Sequence, residues 1–260
     1  VGSPGDMYVT GDASNTVRVY TPIAGSFLGV FQNTANQPLG IHFHPTNGRV
    51  LVGGFSQGVR EYDSVTGALI KTYGPVLWQW SGIYRANGIV IVAESASNKL
   101  IEYDGNTGAF VSVFAPLPGS PADMEYGPNG NLYVCQYFPP MVFELDATTG
   151  NVVSAWSLPP NTLGNDVAFL IGEILVTAMG SNLVYRYDST PVHNLLGSFG
   201  DANWGNAHGI AISPHNGHIY VVDGVTAQVY EFDPLTFAEL NAAVLNPAPG
   251  DKVVDIAFRP

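Results

Sequence analysis

Residues 59–70, VREYDSVTGALI, decide the fold: two alternating apolar segments lie on either side of a D-x-x-T-G turn. The same arrangement returns at residues 100–111 (LIEYDGNTGAFV) and 142–153 (VFELDATTGNVV). In such a turn the Asp side chain accepts hydrogen bonds from nearby backbone, and the Gly takes a positive φ that most residues avoid. Each copy is therefore predicted to be an antiparallel hairpin.

The hairpin recurs along the chain every 41 to 45 residues, marked in five of its six copies by an apolar or aromatic residue followed by Asp. The pairs are Tyr20-Thr21, Tyr62-Asp63, Tyr103-Asp104, Leu145-Asp146, Tyr187-Asp188 and Phe232-Asp233. Two further apolar segments precede each of the last five pairs, as in GIAISPHNGHIYVV at 209–222. Four short strands per repeat are typical of a β-propeller blade.

The two ends of the sequence complement each other. Residues 253–260, VVDIAFRP, match the first strand of a repeat without its partners, and residues 5–31 match the other three strands. We therefore predict an all-β, six-bladed propeller of four-stranded blades, with residues 1–260 forming a single domain. Pairing of the C-terminal strand with the N-terminal strands would close the ring and remove exposed sheet edges.

Composition narrows the classes of partner. The net charge is −12, from nine basic and 21 acidic residues, so a nucleic-acid partner is not expected. No apolar run is long enough to span a membrane, and the single cysteine, Cys135, excludes an internal disulfide framework. With three lysines and no initiator methionine, we expect a secreted or periplasmic protein whose signal peptide has been removed.

Candidate metal ligands gather where the first strands of the blades begin. In a propeller these strands line the central channel, and we call the face at which they begin the top face. Asn165 and His208 are predicted there, with Asp166 adjacent and with Glu94 and Asp223 at the ends of second strands. A calcium or zinc ion could bind Asn165, His208, Glu94 and Asp223. His208 and Asp166 are the candidates for catalysis, and the alternative is that these side chains hydrogen-bond to loop backbone.

The remaining histidines are assigned to other places. His215 and His218 flank the turn at the other end of a hairpin, one strand length from His208. His42 lies in the middle of a strand, where we expect it to pack between blades and not to bind metal.

Aromatic residues form a second candidate site in the loops of the top face. They are Trp78, Trp80, Tyr137, Phe138 and Trp204. Exposed aromatic rings around a channel mouth often bind a sugar ring or an apolar chain. The alternative is that Trp78 and Trp80 fill the seams between blades.

The pattern x-G-I-A-[IV]-x-P-x-N-G-x-[IL]-Y-V-x-D, clearest at residues 208–223, resembles the NHL repeat and its related six-bladed propellers. These include SMP-30/gluconolactonase-like and paraoxonase-like hydrolases, the peptidyl-amidating lyase and streptogramin B lyase-like proteins. In SMP-30-like lactonases one Glu, two Asn and one Asp at the starts of first strands hold a divalent metal. The ligand pattern is incomplete here, because the matching positions are Leu39, Ser81, Ala122, Asn165, His208 and Val254.

Two functions follow as hypotheses. The first is a secreted, non-catalytic propeller that binds a small molecule, a glycan or a protein through its top face. The second is a metal-dependent, lactonase-like hydrolase or a lyase, in which a cation in the channel polarises a carbonyl or activates water. His208 would then be a ligand or a general base. The half-apolar character of the matching positions favours the first function.

Overall fold

The computed structural model describes residues 2–22, 25–33, 37–75, 78–200, 204–241 and 251–260. Within these ranges the chain forms 24 β-strands and one short 3₁₀ helix, Ala86–Gly88. The fold is therefore all-β, as predicted. No helix in the same ranges is both long and apolar enough to cross a membrane.

The strands are numbered β1–β24 in chain order. Strands β1–β7 are Met7–Gly11, Thr16–Tyr20, Phe27–Asn33, Pro38–Phe43, Arg49–Gly54, Val59–Asp63 and Leu69–Tyr73. Strands β8–β15 are Gln79–Arg85, Ile89–Glu94, Lys99–Asp104, Phe110–Pro116, Ser120–Tyr126, Leu132–Phe138, Met141–Leu145 and Val152–Ser157. Strands β16–β24 are Leu163–Leu170, Glu173–Met179, Leu183–Asp188, Leu195–Phe199, Ala207–Ile212, Ile219–Asp223, Gln228–Phe232, Glu239–Asn241 and Val253–Phe258.

The strands associate as antiparallel sheets arranged like the blades of a propeller. Four sheets have four strands each, in the orders β24-β1-β2-β3, β12-β13-β14-β15, β16-β17-β18-β19 and β20-β21-β22-β23. Strands β4–β11 form an eight-stranded sheet, in which a single residue pair, Gly54 and Gln79, links β5 to β8. Strands β4, β8, β12, β16, β20 and β24 contact one another in that order, and β24 contacts β4. We call these six the inner strands.

The last inner strand joins the two ends of the described chain. In β24, Phe258 lies opposite Met7 and Ile256 lies opposite Val9 of β1. The Thr10 hydroxyl donates to the carbonyl of Leu39 at 2.7 Å and accepts the N–H of Asp255 at 2.9 Å. The pairing of the C-terminal strand with the N-terminal strands is therefore confirmed.

The D-x-x-T-G segments form the predicted turns. In one of them, Asp146 Oδ1 accepts the N–H of Thr149 at 2.7 Å and its hydroxyl at 2.8 Å. The same pair of bonds forms in the turns at Asp63 and Asp104. Gly150 closes its turn with a φ of +73°.

Two glycines with positive φ make a matched pair for testing this turn. An added Cβ at Gly150 would lie 2.1 Å from the carbonyl oxygen of Phe114, whereas one at Gly130, with a φ of +81°, would meet nothing within 4 Å. We expect Gly130→Ala to cost about 1 kcal/mol of unfolding free energy and Gly150→Ala to cost about 3 kcal/mol. Chemical denaturation measures both, and equal costs would contradict the close packing at Gly150.

Candidate functional site

A cavity of about 560 Å³ is lined by the inner strands and opens to solvent. All six of them contribute to its wall, so the cavity lies on the axis of the ring. We call it the axial cavity.

Small side chains in half of the ring create this space. Each inner strand places one residue in the wall at the position that corresponds to Ala168, two residues after Asp166. These six residues are His42, Tyr84, Glu125, Ala168, Ala211 and Ala257. Three neighbouring strands therefore contribute only methyl groups at this level, opposite three long side chains. The volume that alanine leaves unfilled is available to a ligand.

Along the direction of the inner strands, the axial cavity begins after the residues that the sequence predicts as metal ligands. Its wall runs from Asp166 and Asp255 to Pro45 and Pro214, which follow the ends of their strands. Asn165 and His208, close to the starts of their strands, are not among its described lining residues. The cavity is therefore directed toward the face opposite the top face.

Three buried carboxyl groups converge at the inner end of the axial cavity. Asp123, Asp166 and Asp255 can each place an oxygen within 4.8 Å of the other two. Asp166 accepts the N–H of Ile210 at 2.8 Å, and Asp255 accepts that of Ile41 at 2.7 Å, so each ties its strand to the next. Burial, and then the neighbouring Asp123, raise the pKa values of Asp166 and Asp255 well above the usual range.

His42 supplies the positive charge at this level. Its Nε2 lies 2.7 Å from Asp123 Oδ1, and its Nδ1 lies 3.7 Å from Glu125 Oε2. Burial lowers the pKa of His42, but the charge and hydrogen bond of Asp123, with a further contribution from Glu125, outweigh burial and raise it to about 9. The imidazole is therefore protonated at neutral pH. His42 was expected to pack between blades; it contacts Asp123 and Glu125 of another inner strand and also lines the axial cavity.

Glu125 is the acidic group most open to the axial cavity, with 41% of its side chain exposed. Its Oε1 accepts the N–H of Tyr126 at 2.8 Å. Burial raises the pKa of Glu125, while His42 acts in the opposite direction. The inner part of the cavity thus combines one imidazolium with several carboxyl groups.

These pKa shifts predict that stability falls as the pH rises. Asp166 and Asp255 stay protonated in the folded protein, whereas in the unfolded chain they lose their protons near pH 4. Their contribution to the free energy of unfolding therefore declines as the pH rises above about 4. The contribution of His42 is complete below its unfolded pKa of 6.5 and is lost as the pH rises through about 9. We expect the melting temperature to fall between about pH 6 and about pH 10, and less steeply in His42→Gln. A melting temperature that rises over this range would contradict the assignment.

Asp223, a sequence candidate for metal binding, is engaged by its own loops. Its Oδ1 accepts the N–H groups of Asn206 at 3.0 Å and Val225 at 2.9 Å. Its Oδ2 accepts the N–H of Gly205 at 3.0 Å and the hydroxyl of Thr226 at 2.8 Å. This arrangement corresponds to the alternative in which polar side chains hydrogen-bond to loop backbone.

Of the other candidate ligands, Glu94 and Asn165 are buried and His208 is half-buried. Glu94 accepts the hydroxyl of Ser97. Asn165 is 1% exposed, and neither its Oδ1 nor Nδ1 of His208 has a hydrogen-bond partner among the described residues. Burial lowers the pKa of His208 to about 4 against the opposing effect of Asp223, so this imidazole is neutral at neutral pH.

The five candidate aromatic residues are divided between the interior and the surface. Trp80 and Trp204 are only 5% and 2% exposed. Trp78, Trp80 and Tyr137 pack together, with ring centroids 5.6 to 6.3 Å apart, and Phe138 is 66% exposed. Trp204 belongs to a separate cluster of buried side chains. The five rings therefore do not form one exposed surface.

Two other histidines have structural partners. His218 Nδ1 lies 2.6 Å from Glu231 Oε1, beside the turn in which it was expected. His193 Nε2 lies 3.2 Å from Glu144 Oε2 and stacks on Trp156 at a centroid distance of 4.0 Å. Both histidines therefore help to satisfy buried glutamates.

No family model matches the sequence, and no curated protein matches it. A chain from the crystal structure of a nidogen/laminin complex has a similar fold, with a TM-score of 0.77 and 13% sequence identity over 98% of both chains. At this identity the likeness concerns the fold alone. It supports the propeller class, and the resemblance to NHL-repeat and SMP-30-like proteins stays a prediction.

Proposed function

We propose that the protein is a non-catalytic binding protein that holds a small organic molecule in the axial cavity. The observation that carries this proposal is the cavity itself, since its volume of about 560 Å³ lies in the range of small-molecule sites. Apolar walls with a few converging polar groups are the usual composition of such a site.

Two features favour a small molecule over a glycan or a protein surface. The wall contains many aliphatic and aromatic residues, whereas a glycan requires many hydrogen-bonding groups. The cavity is also recessed between the six inner strands, so a broad protein surface could not reach its inner end. The top-face residues Leu39, Ser81, Ala122 and Val254 are buried, and we therefore place the site in the axial cavity.

We also propose that the ring is a six-bladed propeller. The closed order of contacts among the inner strands supports this number. Only one residue pair joins the two halves of the eight-stranded sheet, so that sheet would comprise two neighbouring blades. Export from the cytoplasm stays a prediction.

A divalent cation at the carboxyl cluster is a second candidate ligand. Asp123, Asp166 and Asp255 supply the oxygen donors that a hard cation such as calcium takes, in place of the four residues expected from the sequence. Calorimetric titration with calcium chloride and zinc chloride tests this function. Stoichiometric binding that Asp255→Asn removes would support it, and heats no larger than those of dilution would exclude it.

The hydrolase or lyase hypothesis has less support. Asp166 already accepts backbone N–H groups with both oxygens, from Val167 at 2.6 Å and from Ile210 at 2.8 Å. Within the described ranges, His208 Nδ1 has no partner that would orient it as a general base. Binding without turnover is therefore the function we propose.

Filling the axial cavity tests the proposed function. We use 4-phenylbutylamine, 4-phenylbutanol and 4-phenylbutyrate as probes and expect at least one to bind with one-to-one stoichiometry. Ala211→Trp should weaken that binding at least about tenfold, because the indole would occupy the space beside Ala211. If this variant does not fold, Ala257→Leu gives a smaller obstruction.

Phe138→Ala is the matched control, since it removes a ring that is exposed and outside the axial cavity. Its affinity for the probe should equal that of the unmodified protein. Binding that survives Ala211→Trp and disappears in Phe138→Ala would refute the axial cavity as the site and favour the aromatic loops.

A further inference from the structure

We propose that the axial cavity selects an organic ammonium ion with an apolar body. This inference rests on the proposed function and specifies its ligand class. The ammonium group would lie among the carboxyl groups at the inner end, and the apolar body would extend along the wall toward the mouth.

The charges that line the axial cavity favour a cation. Glu125, Asp166 and Asp255 line it, and the only lining residue with a cationic side chain among those described is His42. The imidazolium of His42 is already paired with Asp123 at 2.7 Å. Since Asp166 and Asp255 retain their protons, the negative charge that is open to the cavity is that of Glu125, and an incoming ammonium ion would pair with it.

Glu125 is best placed to receive the ammonium ion. Its side chain is 41% exposed in the cavity wall, and its contact with His42 is long, at 3.7 Å. Asp166 and Asp255 use both of their oxygens to accept backbone N–H groups. Glu125 thus has hydrogen-bonding capacity left for a ligand, and a charged bond of this kind is stronger than a neutral one.

The wall beyond the carboxyl groups is apolar. The next residues along the inner strands include Phe43, Phe169, Ile212 and Phe258, all lining the cavity. Phe169 lies three positions after Asp166, so the apolar zone extends about 10 Å from the carboxyl level. A hydrated metal ion would leave this surface unused, whereas an alkyl or aryl group would bury it.

Three probes that differ only in their polar end test this inference. We expect 4-phenylbutylamine to bind at least about tenfold more tightly than 4-phenylbutanol, and 4-phenylbutyrate to bind more weakly than either. Glu125→Gln should weaken the amine about tenfold and leave the alcohol unchanged. Glu173→Gln is the control, because Glu173 pairs with Arg186 outside the cavity and should affect neither probe.

The outcomes separate this inference from the proposed function. Equal affinity for amine and alcohol, or an amine affinity that Glu125→Gln does not change, would overturn the ammonium inference while the cavity remains a binding site. Failure of all three probes to bind would overturn both. If Glu125→Gln does not fold, Glu125→Ala, which also removes the carboxylate, provides the same comparison.

Discussion

Deletion of residues 251–260 is expected to abolish the cooperative thermal unfolding of the protein. This segment contains β24, which pairs with β1 and also contacts β4 and β20. Without it the ring would expose the edges of β1 and the apolar surfaces that now cover Val254 and Ile256, both at most 3% exposed. We expect the shortened chain to aggregate or to lose its near-ultraviolet circular dichroism.

A circular permutant is the control for this deletion. Arg259 accepts the N–H of Gly5 at 2.6 Å and donates its own N–H to Asp6 at 2.9 Å, so the two ends lie side by side. A chain that begins at Asp251, joins Pro260 to Val1 through a short linker and ends at residue 250 keeps β24 beside β1. It should unfold cooperatively. A deletion variant with the melting temperature of the intact protein would contradict ring closure.

His42→Ala is expected to lower the free energy of unfolding by about 3 kcal/mol near neutral pH, because it removes one partner of a buried ion pair. The side chains of His42 and Asp123 are 13% and 2% exposed, and Asp166 and Asp255 lie close to Asp123. Loss of the imidazolium would leave the buried carboxylate of Asp123 without its positive partner. Urea denaturation measures the effect.

Two further variants separate charge from packing at this site. Asp123→Asn combined with His42→Ala should recover at least about 1 kcal/mol, because the amide needs no counter-ion. His218→Ala should cost less than about 1 kcal/mol, since its side chain is 29% exposed in the pair with Glu231. If His42→Ala and His218→Ala lower the free energy of unfolding equally, the pair of His42 and Asp123 has no special role in stability.

The strands, the turns and the closing pair of strands could be predicted because their signals are local or periodic. The D-x-x-T-G turn depends on side chains within four residues of Asp146, and β24 was recognisable because residues 253–260 repeat the pattern of other first strands. The eight-stranded sheet was not predicted, because the junction between β5 and β8 depends on a single bridge between Gly54 and Gln79.

The axial cavity was missed because its wall depends on six positions distributed over the whole chain. Ala168, Ala211 and Ala257 carry no chemical signal individually, and only their equivalence to His42 and Glu125 reveals the space they leave. The sequence did contain a signal for this space, since an alignment of the first strands of the repeats places His42 at the same position as Ala168 and Ala211.

Exposure was the other property that the sequence did not reveal. Trp80 and Trp204 were expected in loops of the top face, yet Trp80 lies in β8 and both rings are buried among neighbouring aromatic side chains. The burial of an aromatic residue depends on tertiary contacts that a loop composition does not specify.

Anomalous diffraction from crystals grown with 4-(4-bromophenyl)butylamine tests the central claim most directly. A ligand in the axial cavity would place its bromine among Phe43, Phe169 and Phe258, with the nitrogen toward Glu125. We predict a single strong bromine peak at that position. A strong peak beside Phe138 at the top face, with none in the axial cavity, would contradict the account.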